Sequence, residues 1–319
     1  MLTNLSEGDI RLLKVFAKVV EAGGFSAAQI DLNISQSTLS THMTSLEQRL
    51  GLRLCERGRS GFQLTERGRL IYQASQRLFS ALDDFRSDAG AARNCLTGKL
   101  VVGIVDSLIV NPACALDRTI AAFNQQAPEV QITIRVTSPA EIERVVLEGS
   151  CDLGLGTCGR HSPFLDYEDL FEERQVLYCG RGHPLFERSK EIGIADLADQ
   201  QFIRRAYAAP DKIPPGIKLM STAVADLMEA VAVFILSGRY IGFLPQLFAQ
   251  HWVAQELMRP LLEQGLGYQN PVYLATRKTE TKKPVLSAFL QELRLAHEAQ
   301  PVALSRLAVS ASAPGSKIA

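Results

Sequence analysis

Residues 36 to 50 hold the densest set of side chains able to do recognition chemistry. Ser37, Thr41, Thr44 and Gln48 share one helical face, with Gln36 and Ser40 at its flanks. Leu39, Met43, Leu46 and Leu50 form an apolar stripe on the other side. An outer face rich in hydrogen-bonding groups but almost free of charge suits a helix laid into a DNA major groove, where base edges offer donors and acceptors. Ser35 can cap this helix through its hydroxyl, and the free amides of the first turn suit a backbone phosphate. The alternative is an ordinary amphipathic surface helix, which would carry more Glu and Lys outside.

Such a helix needs elements that hold it. Upstream, a helix capped by Ser6 turns Ile10, Leu13, Phe16, Ala17 and Val20 inward and stops at Gly23-Gly24. A short helix then breaks at Leu32-Asn33-Ile34. Downstream, Leu52, Leu54, Phe62 and Leu64 alternate around a Gly58-Arg59-Ser60-Gly61 turn, the pattern of a β-hairpin. Three helices and a basic hairpin make a winged helix-turn-helix, in which the wing grips phosphates. The expected DNA contacts are Ser35, Gln36, Ser37, Thr38, Ser40 and Thr41 on the helix, with Arg53, Arg57 and Arg59 on the wing. The chain has 319 residues and no formal net charge, yet Arg49 to Arg69 holds six arginines against Glu56 and Glu66. A basic stretch joined to a neutral remainder suits a DNA reader attached to a sensing domain.

Residues 5 to 70 resemble the N-terminal domain of LysR-type transcriptional regulators. The resemblance is carried by Phe16, Gly24-Phe25-Ser26-Ala27-Ala28, Ser35-Gln36, Leu39-Ser40, Leu46-Glu47, Leu50-Gly51, Leu54, Arg57 and Leu64-Thr65-Glu66-Arg67-Gly68. The chain departs from the family at Ser37-Thr38, often Pro-Ala there, and at Thr41-His42, where an Arg is usual. A family phosphate or guanine contact is therefore missing at position 41.

From Thr65 to about residue 95, Ile71, Leu78, Phe85 and Ala92 recur every seven residues with Ala74 and Ala81 between them. This seam predicts a helix that pairs with its copy in another subunit; the alternative is a helix packed only on its own domain. The resemblance implies a dimerising linker helix, a homodimer or homotetramer, and two recognition helices on the half-sites of a promoter inverted repeat.

Beyond Leu96-Thr97-Gly98 the texture is α/β. Apolar strands are expected at 99–105, 130–136, 152–156, 201–203, 240–245 and 272–276, with helices through Phe123, at 140–147, 224–236 and 284–298. Leu100-Val101-Val102-Gly103, Gly182-His183-Pro184-Leu185, Ser237-Gly238 and Gly242-Phe243-Leu244-Pro245 resemble the two-lobed effector domain of the same family, itself similar to periplasmic solute-binding proteins. The expected organisation is thus α plus α/β: a winged helix-turn-helix (1–64), a linker helix (65–95), an effector-binding domain of two α/β lobes (96–300) and a disordered tail (301–319). An effector would sit between the lobes at strand ends, which selects Asp106, Ser107, Thr137, Ser138, Thr157, the pair Arg204-Arg205 with Arg204 preferred, Ser221 and Thr222. Hydroxyls, free amides and an arginine suit a small organic carboxylate. Asp106 would repel an anion, or pair with Arg204 or with an amine on the ligand. His183 reads as a structural turn residue.

The second class weighed is a small-molecule-binding protein or enzyme with an accessory helical domain. Against it, the α/β part has no G-x-S-x-G, no phosphate loop and no H-E-x-x-H, and Gly154 and Gly156 are too short a pattern for a dinucleotide site. The six cysteines form no C-x-x-C pair and show no metal-ligand spacing with the five histidines. Neither cofactor nor metal is expected. Free core thiols fit better than a redox pair, because a strand separates Cys151 from Cys158. No apolar run spans a membrane and no signal peptide is apparent, so the expected site of action is the cytoplasm, with RNA polymerase as a further partner.

Overall fold

Ser6 and Asp9 cap the first helix reciprocally, and that pair starts α1 (Glu7–Glu21). The computed structural model describes residues 4–58, 61–92, 95–159, 161–207, 219–279 and 282–299. Arg59 and the tail 301–319 lie outside them. α2 (Phe25–Leu32) ends where Asn33 takes a left-handed conformation. α3 (Gln36–Leu50) starts behind Ser35, whose hydroxyl accepts from the Thr38 amide at 3.2 Å, and stops at the left-handed Gly51. β1 (Cys55–Gly58) and β2 (Gly61–Leu64) pair antiparallel as the expected hairpin. Phe16, Leu39, Met43, Leu46 and Leu54 are wholly buried together, so the apolar stripe of α3 faces inward as its spacing requires.

α4 (Glu66–Ala91) is a single helix of 26 residues. Its start is clamped to the hairpin: Thr65 Oγ1 donates to the Arg53 carbonyl at 2.8 Å and accepts from the Gly68 amide at 2.9 Å. The chain divides into two compact units, and the first runs to Arg86, well into α4. Ile71, Tyr72, Leu78 and Phe79 pack against the core of this first unit, and the Tyr72 ring meets Phe16 edge-on. Two residues of the heptad period, Ile71 and Leu78, are thus partly buried on their own domain. The large apolar side chains that α4 leaves exposed are Leu70 and Phe85, at 61% and 71%, with Ala74, Ala81 and Ala89 also exposed.

The second unit is built on one nine-stranded sheet. Its strands are β3 (Gly98–Val105), β4 (Val130–Thr137), β5 (Leu153–Gly156), β6 (Leu165–Gly180), β7 (Gln201–Arg205), β8 (Met220–Ala225), β9 (Ile241–Pro245), β10 (Met258–Leu261) and β11 (Tyr268–Arg277). The helices are α5 (Leu116–Gln126), α6 (Ile142–Leu147), α7 (Met228–Leu236), α8 (Gln246–Ala254), α9 (Glu263–Leu266) and α10 (Pro284–Glu298). The strand order is β4-β3-β5-β11-β6-β9-β7-β8, with β10 also on β6. Pairing inside each lobe is parallel, β3 with β4 and β5, and β7 with β8 and β9. β6 and β11 run antiparallel to their neighbours and carry the chain from lobe to lobe. The sheet is therefore mixed, not mostly parallel.

Each lobe has its own core. Phe123 and Phe289 centre the first, below β3 and β5, while Val231, Ile235 and Leu244 centre the second. Three departures from the expected elements have physical causes. β4 is an edge strand with only β3 beside it, so Ile134 and Val136 stand exposed. The segment after β3 makes two short 3-10 turns, Leu108–Val110 and Pro112–Cys114, before α5 begins at Leu116. Val224 and Ala225 belong to β8, because they pair with Arg204 and Arg205; α7 begins only at Met228.

Gly68 is the tightest contact of the first unit. A Cβ there would lie 1.9 Å from the Leu54 carbonyl oxygen, so any side chain must push the hairpin away from α4. Gly68→Ala is expected to cost about 1–3 kcal/mol, the usual range for overpacking. Thermal unfolding of the variant should show the lowered midpoint; an unchanged midpoint would mean that helix and hairpin part easily.

Candidate functional site

α3 presents two kinds of surface. Gln36, Ser37, Thr38, Thr41 and, further along, Thr44 and Gln48 are exposed, and Ser40 is half-exposed. Ser35 Oγ lies 2.8 Å from both Ser37 Oγ and Thr38 Oγ1, which gathers three hydroxyls at the N-terminus of the helix. Thr41 Oγ1 donates to the Ser37 carbonyl and Thr44 Oγ1 to that of Ser40, at 3.0 and 2.9 Å. Their hydroxyl protons are thereby committed to the helix, and the oxygens face outward as acceptors. Of the three wing arginines, Arg53 is exposed; the side chain of Arg57 and all of Arg59 fall outside the described residues.

Sequence reasoning missed what orients this face. Asp9, 1% exposed, accepts from Arg49 Nε and Nη2 along one edge of the guanidinium, the Nη2 contact being 2.6 Å. The Arg49 guanidinium, with help from Ser6, holds the Asp9 carboxyl well below its ordinary range. The pair ties the beginning of α1 to the end of α3, so Arg49 serves packing and its charge is already met. At the same end, Glu47 accepts from the Leu54 amide at 2.7 Å and fixes the entry to the hairpin. The spacing of Ser6 and Asp9 signals the cap, but nothing local points to a partner 40 residues away.

The second cluster lies where the two lobes meet. Asp106 follows β3 in the first lobe, and its Oδ2 accepts from the Met228 amide at the start of α7 in the second. α7 has no side-chain cap of its own; Asp106 supplies it from across the boundary, where the helix dipole favours an anion. Arg205, at the end of β7, is 6% exposed and donates from Nη2 to Gln175 Oε1 at 2.5 Å and to the Phe243 carbonyl at 2.9 Å. Glu173 and Gln175 come from the crossing strand β6, buried at 7% and 0% exposure. Asn111 Oδ1 accepts from the Ala113 amide at 3.0 Å, and its amide hydrogen-bonds Glu173.

Burial dominates the electrostatics. It pushes Glu173 up to about 7, against the pull of Arg205 and Asn111. Asp106 rises to about 6, mainly through burial and further through the nearby Glu229 carboxyl, with the Met228 amide opposing. Tyr207, just past Arg205, is pushed to about 12 by burial despite Arg205. Two buried atoms in this cluster have no partner among the described residues: Asp106 Oδ1 and Gln175 Nε2.

The structure brings only part of the expected effector set here. Asp106 is at the centre. Ser107 sits beside it with φ of 62° and makes no capping bond; it precedes a 3-10 turn, and the expected strand-to-helix turn is absent. Thr137 is half-exposed at the end of β4, its hydroxyl 3.4 Å from Glu141. The Ser138 carbonyl accepts from the amides of Glu141 and Ile142, leading into α6. Thr157 follows β5, half-buried. Of the pair Arg204-Arg205 on the pleat of β7, Arg204 is exposed and donates to the Arg205 carbonyl at 3.3 Å, while Arg205 is buried. Ser221 and Thr222 are exposed on the edge strand β8, away from any helix start. Glu173 and Gln175 were missed because buried polar residues on a long strand look, in sequence, like an exposed face, and Asn111 because it lies between two 3-10 turns that read as helix.

The remaining motifs are structural. Nδ1 of the buried His183 accepts from the Leu185 amide at 3.2 Å within its turn. All six cysteines are free, and burial pushes Cys151 to about 11 and Cys158 to about 12, which disfavours the reactive thiolate. No described helix is long and apolar enough to cross a membrane.

Comparison with known proteins agrees with this division. The family profile described as "Bacterial regulatory helix-turn-helix protein, lysR family" matches residues 10–69, and "LysR substrate binding domain" matches 93–297. The chain is 38% identical over 292 residues to the HTH-type transcriptional activator BauR of Pseudomonas aeruginosa, covering 91% of this chain and 96% of that one. It is 32% identical over 200 residues to the probable HTH-type transcriptional regulator LrrA of Synechococcus elongatus, covering 63% and 66%. Among solved structures, full-length CbnR complexed with its target DNA superposes with a TM-score of 0.63 at 21% identity, over 91% of this chain and 99% of the other.

A pH dependence follows from the interlobe carboxyls. Their folded pKa values, about 6 for Asp106 and about 7 for Glu173, lie above their ordinary ones, so the folded state binds their protons more tightly. Stability of this unit is therefore greatest below about pH 4 as far as these groups decide it, and declines as pH rises to about 7. In Glu173→Gln the fall in melting temperature between pH 5 and pH 8 should be smaller than in wild type. An equal fall would mean that Glu173 is not held near neutrality.

Proposed function

The chain belongs to the LysR family of transcriptional regulators, and on that premise we propose that α3 reads operator DNA while the interlobe cluster binds the small molecule that controls it. The protein is a DNA-binding transcriptional regulator with an effector-binding domain. Its family favours this over the enzyme or solute-binding alternative. One observation carries the reading of the DNA face: the outward groups of α3 are neutral donors and acceptors, and the one arginine near the helix end, Arg49, is neutralised by Asp9. Gln36, Ser37, Ser40 and Thr41 then contact bases; Ser35, Thr38 and the wing arginines Arg53, Arg57 and Arg59 contact phosphates. With no arginine at position 41, affinity leans more on the wing than is usual in the family.

Two copies are needed to read an inverted repeat. We assign the subunit contact to the outer face of α4, through Leu70 and Phe85, and propose a homodimer or, with further contacts between effector domains, a homotetramer. Binding of an organic effector between the lobes would alter the spacing of the recognition helices, provided the effector prefers one arrangement. The regulator would act in the cytoplasm and pass the signal to RNA polymerase.

Mobility-shift titrations on the DNA upstream of the protein's own gene test the DNA face. Gln36→Ala should cost about 1–3 kcal/mol on the specific site and relax its sequence preference. Arg53→Ala should weaken specific and random DNA alike, with a salt slope smaller by about one. Identical behaviour of the two variants would refute the assignment of helix and wing. For assembly, Phe85→Asp places a charge in the proposed contact without touching the domain core. Sedimentation should show smaller species and weaker operator binding, whereas an unchanged assembly would place the subunit contact elsewhere.

A further inference from the structure

The effector's chemical class can be read from what the interlobe cluster leaves unmet, and this inference rests on the interlobe reading above. Asp106 is 6% exposed; one of its oxygens caps α7 and the other is buried without a partner among the described residues. An ionised carboxylate oxygen accepts only, so its missing partner is a donor. Gln175 is fully buried, and its Oε1 accepts from Arg205, which can only donate. That bond fixes the amide orientation and leaves Nε2 as the second orphan, a donor that lacks an acceptor. The two open positions thus have opposite hydrogen-bond sense.

Charge points the same way. Asp106 and Glu173 are both buried and within electrostatic reach of each other, and Glu229 adds a third carboxyl at the rim. Arg205 is a cation within electrostatic reach of Glu173, and its Nη2 is already held by Gln175 and the Phe243 carbonyl. A simple monocarboxylate would add an anion to this group and leave Asp106 Oδ1 unmet. Burying such an uncompensated charge costs several kcal/mol.

We propose that the effector is a small zwitterion bearing a protonated amine and a carboxylate, with the ammonium on Asp106 Oδ1 and Glu173 and the carboxylate on Gln175 Nε2 and Arg205. Ammonium–carboxylate hydrogen bonds are charge-assisted and short, the strongest class available here. Asp106 also joins the two lobes through the start of α7. An ammonium on its second oxygen therefore favours the arrangement in which the lobes meet, which gives the ligand the differential affinity a switch requires.

Isothermal titration of the full chain with three matched probe sets tests this: α- and ω-amino acids of two to six carbons, the corresponding monocarboxylates, and the corresponding alkylamines. At least one amino acid should bind with a dissociation constant below about 1 mM, at least about tenfold tighter than its deaminated and decarboxylated counterparts. Asp106→Asn should weaken that amino acid by about tenfold or more. Because this substitution could loosen α7, Glu173→Gln serves as the second variant and should weaken it in the same direction. A monocarboxylate that binds as tightly as its amino acid would overturn the zwitterion while leaving the interlobe site standing. Amino-acid binding untouched by both substitutions would overturn the placement, and no binding of any probe at about 10 mM would overturn both readings.

Discussion

A carboxylate removed from water must be met by donors, and one such carboxylate in each unit of this chain, Asp9 and Asp106, decides how that unit works. Asp9 is met completely, by Ser6 at the head of its own helix and by Arg49 from the end of α3. Asp106 is met on one oxygen only. The difference divides the protein's work. Complete pairing makes the DNA-binding unit rigid where α1 and α3 cross, since losing one partner of such a pair strands the other. Incomplete pairing in the effector unit leaves a position that a ligand can fill.

The rest of the DNA-binding unit extends that rigidity to the surface. Ser35 begins α3, Glu47 pins the hairpin to its far end, and Thr65 with Gly68 seats α4 against the same strand. Each contact uses a backbone group that would otherwise be unpaired at an element's end. The neutral face of α3 and the start of the hairpin at Leu54 are consequently held in fixed register. A fixed register lets hydrogen bonds to base edges discriminate between sequences, while phosphate contacts set position.

Much of this was legible in the sequence where a single element carried its own signal. The period of Leu39, Met43 and Leu46 gave α3 its inner and outer faces, Gly23-Gly24 and Asn33 marked helix ends, and alternation around the wing gave the hairpin. What was not legible depended on partners far along the chain. In a strand a shift of one residue reverses the side, so the sequence could name the pair Arg204-Arg205 but not which member is buried. β6 went unrecognised because Asp166, Glu168, Asp169, Glu172 and Glu173 look like a solvated stretch, although the strand crosses both lobes and buries Glu173. The heptad of α4 was real as a period, but Ile71 and Leu78 answer to the core of their own unit. Periodicity names an apolar face without naming what covers it.

The account's central claim is that two copies of α3, held by their own domains, read two half-sites. Hydroxyl-radical footprinting of the wild-type protein on the DNA upstream of its own gene tests this most directly. Two protected patches should appear on one face of the duplex, their centres separated by a whole number of helical turns of about 10–10.5 base pairs, over inverted sequences. A single isolated patch, or protection that does not depend on sequence, would contradict it.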